Sequence, residues 1–392
     1  MHNLESKSKN ISFSTRKTIL YSLLPLLLLF GGIEGCARLL ELWRPPLTLD
    51  YGWGFNEDSR VFMPAGFARN TMITRPEKQA SFVLQSFQMP KPTNVYRIFI
   101  LGGSNVNYMH LPLMVVSNRL SNTPGETRSF EIINMGGLAY GSHRLRIMIP
   151  EILGYEPDLI LLYAGHNEFE EVEHQALVNL DRLSIQKAAY SLASLRTIRD
   201  LWVSIELVRR TTSVLQEKQQ PEVHWTSSST YEFSEEEIAT RMDLYRDNLN
   251  FIVSTFLEKN TPVIISTVAT NLWKPGLSQA FSKEAEEIER LYMAGNYEEG
   301  MQRARDVLVR STRHQASDVE NNIIRDIAKK YDLPLIEGEH LIMDAESNGV
   351  PGETLLSDNC HLTLRGMEIV LSEFEKEIRQ IARAGKQVNQ EQ

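Results

Sequence analysis

Cysteine is almost missing from this chain. Its 392 residues include two, Cys36 and Cys360, too few and too far apart for a disulfide framework. No bridge between them is expected. Basic charge is also short: 41 Lys and Arg stand against 50 Asp and Glu, a formal net charge of −9. With no dense Lys/Arg stripe, that balance argues against a nucleic-acid partner. Long hydrophobic runs are confined to one, near the N-terminus. The remaining chain has an ordinary apolar fraction and enough length for one large domain or two small ones.

The single apolar run carries an address. Lys7, Lys9, Arg16 and Lys17 precede it. It extends from Ile19 to Ile33 and continues through Ala37 to Trp43, long enough as a helix to span a bilayer. Glu34 and Arg38 stand one turn apart and can pair near the far interface, with Trp43 as an aromatic anchor. Positive charge ahead of the run places the N-terminus in the cytoplasm. We therefore expect a cytoplasmic basic tail (1–17), a transmembrane signal-anchor helix (18–43) and an extracytoplasmic remainder, periplasmic or cell-surface. A cleaved signal peptide is the rival, though no small-x-small site follows the run. Ile33-Glu34-Gly35-Cys36 is a third alternative, a lipoprotein site with a charged residue ahead of its glycine.

Residues 44–90 show no clean period and are punctuated by Pro45-Pro46, Tyr51-Gly-Trp-Gly54 and Arg75-Pro76. They read as a connecting segment that packs loosely. From Lys91 a rhythm begins. Short apolar runs at Ile98–Leu101, Phe130–Asn134 and Pro157–Tyr163 each end in a glycine-bearing turn and lead towards a helical stretch. Further strands are expected at Pro262–Val268 and Leu333–Ile336. The alternation predicts right-handed crossovers and a doubly wound, five-stranded parallel sheet. Helical inserts are expected over about 169–260 and 282–311, with a polar loop from Gln219 to Ser229. Ser234-Glu-Glu-Glu237 should open a helix with acidic residues in its first turn. Leu291–Tyr297 resembles half of a tetratricopeptide repeat, but one copy cannot stack and predicts only a helical hairpin. The domain should run over 91–385, with a last helix from about Thr363 to Ala384 and a polar tail (386–392).

Ile98–Leu101 stops abruptly at Gly102-Gly103 and delivers Ser104 to the carboxyl end of its strand, the edge where open parallel sheets bind ligands. The alternative is a plain strand-to-helix turn with serine as helix cap. The turn around Ala139 and Asn167 follow two other strands, so all three share one sheet edge. Asp358-x-x-His361, in the loop before the last helix, can return to it. These groups suit acyl transfer. A serine hydroxyl needs a neighbouring base, which His361 can supply. A carboxylate fixes the tautomer of that base, and Asp358 lies within reach. The N–H groups of Ser104 and the Ala139 turn, with the Asn167 amide, can donate to a developing oxyanion. Each signal alone has a plainer explanation: capping for Asp-x-x-His, a turn residue for Asn167, turn chemistry for Gly136-Gly137.

Ile100-Leu-Gly-Gly-Ser-Asn105, Ile133-Asn-Met-Gly-Gly-Leu-Ala-Tyr140, Tyr163-Ala-Gly-His-Asn-Glu168 and Asp358-Asn-Cys-His361 together resemble the four blocks of the SGNH, or GDSL-type, serine hydrolases. The likeness extends over most of the chain after Lys91, and Gly-His-Asn-Glu-Phe with Thr267–Leu272 resembles a membrane-anchored bacterial branch. It implies a three-layer α/β/α fold with a flavodoxin-like sheet. It implies Ser104 as nucleophile, His361 as base, Asp358 as orienting acid, and Ser104, Ala139 and Asn167 as oxyanion donors. Two departures stand out. The usual Gly-Asp-Ser is Gly102-Gly103-Ser104, and the second-block glycine aligns with Ala139, or with Gly137 if the turn shifts. The Gly-x-Ser-x-Gly elbow of the α/β-hydrolases is absent, since position 106 is Val.

Tyr140, Asn271 and Trp273 are expected to line the substrate cleft. His166, Glu168, Glu170 and His174 lack the His-Glu-x-x-His register, so no metal and no cofactor is expected. Cys360 reads as a packing residue. The expectation is a membrane-anchored serine esterase acting on an ester-bearing small molecule, lipid or glycan through an acyl-serine, with the helical inserts as lid or as a surface for a protein partner. The alternatives are an O-acyltransferase on the same triad, transferring to an envelope glycan, and a non-catalytic scaffold.

Overall fold

In a computed structural model of the full chain we describe residues 15–43, 60–66, 70–79, 81–169, 189, 191–202, 205 and 233–391. The polar loop 219–229, most of the first insert and most of the segment 44–60 lie outside them. The described residues form two compact units, one drawn from Met1–Leu49 and Asn179–Pro221, the other from Asp50–Val178 and Glu222–Gln392.

The first unit contains α1 (Thr15–Glu41). Its stretch Tyr21–Glu41 is 21 residues long, has a mean hydropathy of 1.7 and carries no buried residue in its most apolar 18-residue window. At 1.5 Å per residue it is long enough to cross a bilayer. Glu34 and Arg38 pair at 2.8 Å, one turn apart.

The second unit is built on a five-stranded parallel sheet. Its strands are β4 (Val95–Gly102), β5 (Ser129–Gly136), β6 (Leu159–Tyr163), β7 (Val263–Ser266) and β8 (Leu335–Ile336). They lie in the order β5-β4-β6-β7-β8. All five fall within or beside the stretches expected from the sequence. The physical reason is burial on both faces, which demands near-continuous apolar residues. Alternate side chains feed two separate cores. Phe99, Leu101, Ile160, Leu162, Val263 and Ile265 point to one. Ile98, Ile100, Leu159, Leu161, Tyr163 and Ile264 point to the other. Each fully buried side chain of this size contributes roughly 1.5–3 kcal/mol.

Helices close both faces, giving three layers. The first core is covered by α4 (Ser142–Leu153) and the helices Glu235–Glu258 and Asp318–Tyr331. The second is covered by α3 (His110–Ser121) and the terminal helix Leu364–Glu391. Glu235–Glu258, expected as part of an insert, is thus a layer helix: Tyr245, Leu249, Ile252 and Phe256 are buried against the sheet. Ser234 caps it, accepting from Glu237 N while the Glu237 carboxylate accepts from Ser234 N, a reciprocal arrangement that satisfies two orphan donors. The 282–311 insert is a helical hairpin, Ser282–Met293 and Tyr297–Arg310.

The segment before Lys91 is more tightly integrated than its sequence suggests. It forms a three-stranded antiparallel sheet, β1 (Phe62–Pro64), β2 (Thr71–Thr74) and β3 (Ser86–Gln88). Phe62, Phe82 and Phe87 enter the first core. The Glu151 carboxylate accepts from Val61 N and Phe62 N at 2.9 and 3.0 Å. Strands of three or four residues are too short for a period to show.

Candidate active site

β4 lies between β5 and β6, so residues leaving its carboxyl end are flanked by the ends of both neighbours. Gly102 and Gly103 are required there by contact. A Cβ on Gly102 would sit 2.2 Å from the Tyr163 carbonyl oxygen, and one on Gly103 would sit 2.2 Å from Asn167 Nδ2. Both are far inside van der Waals distance. In this chain the Asn167 amide occupies the space a side chain at 103 would need.

Ser104 opens the short helix α2 (Ser104–Tyr108). At that first position its N–H has no intrahelical acceptor. Its Oγ lies 2.6 Å from His361 Nε2, and His361 Nδ1 lies 2.6 Å from Asp358 Oδ2. The second oxygen, Asp358 Oδ1, accepts from Cys360 N at 2.9 Å and His361 N at 2.8 Å. Partial burial opposes the Asp358 charge. Hydrogen bonds from the His361 side chain and from the Cys360 and His361 N–H groups outweigh it, holding the carboxyl well below the usual carboxylate range. An ionised Asp358 favours the Nδ1–H tautomer, which leaves Nε2 facing the serine hydroxyl as acceptor. The Tyr108 ring, half exposed, lies 5.1 Å from the imidazole.

The donor side of the site comes from two turns. In the turn after β5, Gly136 N donates to Asn134 Oδ1, Gly137 N to the Gly102 carbonyl, Leu138 N to the Ser81 carbonyl and Tyr140 N to the Gly137 carbonyl. The Ala139 N–H has no acceptor among the described residues. Of the two second-block candidates, Gly137 is therefore already committed and Ala139 is not. Ala139 takes a left-handed conformation, φ 59°, a region that favours glycine. Asn167 is buried, and its Nδ2 donates to the Tyr140 carbonyl at 3.1 Å. That bond uses one of two amide hydrogens.

Asp358, Cys360 and His361 also present ligand atoms within 4.8 Å of one another. A cation there would compete for Nδ1 and break the Asp358–His361 bond, so the arrangement is better matched to proton transfer.

Of the residues expected in the cleft, two are braces. Tyr140 is buried between Phe82, 5.0 Å between ring centroids, and the Arg144 guanidinium at 4.8 Å. Asn271 is buried and supports the Asp358 loop, its Nδ2 donating to the Asp358 carbonyl at 2.9 Å and its N to the Asn359 carbonyl at 3.0 Å. Trp273 stacks on Tyr292 at 4.6 Å and lines a cavity of about 330 Å³ with Lys274, Glu286 and Glu289.

Three residues support the site in roles that the sequence did not give them. Asn105 Nδ2 donates to the Cys360 carbonyl at 2.8 Å. Glu168 is buried, accepts from Ser142 N and Oγ at 2.8 and 2.6 Å, and so ties the Asn167 turn to the start of α4. His166 is held neutral: burial, then the neighbouring His361 and His314, lower it to about 3. Its Nδ1 accepts from Ala316 N at 3.0 Å. The Gly-His-Asn-Glu run was the only sequence signal for the last two.

No family model matches the chain, and no curated protein does. Solved structures similar to it at low identity include a GDSL-like lipase from Bacteroides thetaiotaomicron (13% identity, 74% of this chain and 89% of that one, TM-score 0.36). An acetyl xylan esterase is 14% identical over 72% of this chain and 99% of that one, with a TM-score of 0.41. A catalytic mutant of an acetylxylan esterase from Geobacillus stearothermophilus is 12% identical over 72% and 94%, with a TM-score of 0.38.

Proposed function

We propose that the chain is a membrane-anchored, extracytoplasmic serine ester hydrolase of the SGNH type. The observation that carries this reading is the unbroken relay from Ser104 Oγ through His361 to Asp358, with both links at 2.6 Å. That distance also weighs against the scaffold alternative, for which a base out of reach of the serine would be the signature.

The chemistry follows from the contacts. His361 Nε2 takes the Ser104 proton as Oγ bonds to the ester carbonyl carbon. The charge that develops on the carbonyl oxygen is met by the N–H groups of Ser104 and Ala139 and by the Asn167 amide. Asp358 stabilises the imidazolium. The tetrahedral species collapses by breaking the C–O bond to the alcohol, which leaves with the proton from His361. Water, deprotonated by His361, then attacks the acyl carbon; the C–O bond to Ser104 Oγ breaks, Ser104 regains its proton from His361, and the acid departs. An O-acyltransferase would use a second alcohol in place of that water. The ester, whether of lipid, glycan or small molecule, is set by the walls around Tyr108 and Ala139. α1 supplies the anchor, with the basic residues ahead of its apolar stretch in the cytoplasm.

The test is labelling of detergent-extracted protein with a fluorophosphonate, wild type against Ser104→Ala. Wild type should label and Ser104→Ala should not, with ester turnover falling by at least about 10³-fold. Folded wild type that does not label would overturn the reading. Product that partitions to an added alcohol acceptor in preference to water would convert it to the transferase.

A further inference from the structure

The first unit holds a second helix, residues 193–202, that is fastened to α1 by an unusual set of polar bonds. Glu34 Oε1 accepts from Ala193 N at 2.9 Å, and Oε2 accepts from Ser194 N at 3.0 Å and Ser194 Oγ at 2.9 Å. Arg38 adds a bond to the Ser191 carbonyl at 3.3 Å. Seven residues along α1, Glu41 receives a two-pronged ion pair from Arg196, at 2.8 and 2.7 Å. An acidic residue late in an apolar span is costly unless its charge is met inside the structure. Here the start of a helix, a hydroxyl and a guanidinium meet it. Ala37 and Ala193 are both buried.

The rest of that helix is amphipathic. Leu195, Ile198, Leu201 and Trp202 recur at helical spacing and are 37–65% exposed. Arg196, Thr197 and Asp200 take the other side and are half-buried. Exposed leucines on α1, among them Leu27 at 65% and Leu39 at 65%, make up the neighbouring surface of the same unit. An apolar stripe with a tryptophan, held beside a membrane span, has the composition of a helix lying in a lipid interface.

We propose that helix 193–202 is a second membrane-contact element, seated in the outer interface of the bilayer beside α1 with its Leu195–Ile198–Leu201–Trp202 side in lipid. This rests on the reading of α1 as a span. The chain then meets the membrane twice: once through α1, and again between β6 and Glu235–Glu258, in the middle of the catalytic unit's sequence.

The experiment uses the full chain carrying Cys36→Ser, reconstituted in phosphatidylethanolamine–phosphatidylglycerol vesicles. Single spin labels are placed by Leu27→Cys, Ile198→Cys, Leu201→Cys and Asp200→Cys; Cys360 is buried. The readout is the ratio of collisions with dioxygen to collisions with a water-soluble nickel chelate. It should favour dioxygen at positions 27, 198 and 201 and the chelate at 200. Chelate-favouring ratios at 198 and 201, with 27 still in lipid, would overturn the proposal and leave the span intact. A chelate-favouring ratio at 27 would overturn the span itself, and the proposal with it. Adding Glu34→Ala should shift position 198 towards the chelate without moving 27. An unmoved 198 would overturn the role given to Glu34.

Discussion

Asn105 and Leu362, 257 residues apart in the chain, are joined by a hydrogen bond of 3.0 Å from Leu362 N to Asn105 Oδ1. With the companion bond to the Cys360 carbonyl, the residue after Ser104 grips both neighbours of His361. The Ser104–His361 distance is thereby set by backbone-to-side-chain bonds in a fully buried spot.

Asn105→Ala should lower kcat on a short-chain aryl ester by roughly 10-fold to 100-fold with little change in KM, because misplacement of a base is felt in the chemical step. It should also cost about 1–3 kcal/mol in urea unfolding, since a buried N–H and a buried carbonyl lose their partners. Asn105→Asp sets a carboxylate oxygen against the Cys360 carbonyl in a buried spot and should be at least as damaging as Asn105→Ala. A kcat that stays at the wild-type value in folded Asn105→Ala would refute the positioning role.

Burial pushes Glu168 up to about 7, against the opposing pull of its Ser142 hydrogen bonds. The sign follows by linkage. Between the ordinary glutamate value and the raised one, the folded protein keeps a proton that the unfolded chain has released, so stability falls as pH rises through that window. From about pH 4.3 to about pH 7 the loss is on the order of 3 kcal/mol. Glu168→Gln presents a neutral group of the same shape to Ser142. Its urea midpoint should decline less than that of wild type between pH 5 and pH 7.5, and superimposable profiles would show that Glu168 does not titrate there.

Ala139 bears a Cβ where the backbone has φ 59° and the side chain is exposed. Ala139→Gly should therefore raise stability by about 1 kcal/mol, the relief of left-handed strain exceeding the added freedom of the unfolded chain. Removing the methyl should also raise kcat/KM for butyrate esters relative to acetate esters. Thermal unfolding and a two-ester assay test both halves, and a destabilised Gly variant would contradict the strain.

The fold was legible where burial is two-sided. Ile98–Leu101 and Leu159–Tyr163 need apolar residues at every position, and their runs say so. Phe62–Pro64 and Ser86–Gln88 form strands of three residues, each anchored by a contact distant in sequence, and nothing local announces them. The site divides the same way. Ser104, Asn167 and His361 follow their strands or open the last loop, so position alone brings them to one edge. Position does not say which way a side chain turns, and for that reason Tyr140 and Asn271 were expected in the cleft and instead brace it. The Asn105 clamp could not be read at all, because its partners lie at the far end of the chain.

Asp358 and His361 share one short loop, and the Asp358 carboxylate accepts from both the backbone N–H and the ring of His361. Their mutual geometry is consequently a local property, insulated from breathing of the sheet or movement of the helical hairpin. Any displacement of that loop leaves one degree of freedom to restore, the gap between imidazole and serine. A variant library aimed at new esters can remodel the surrounding walls while treating Asp358–His361 as a preassembled cassette.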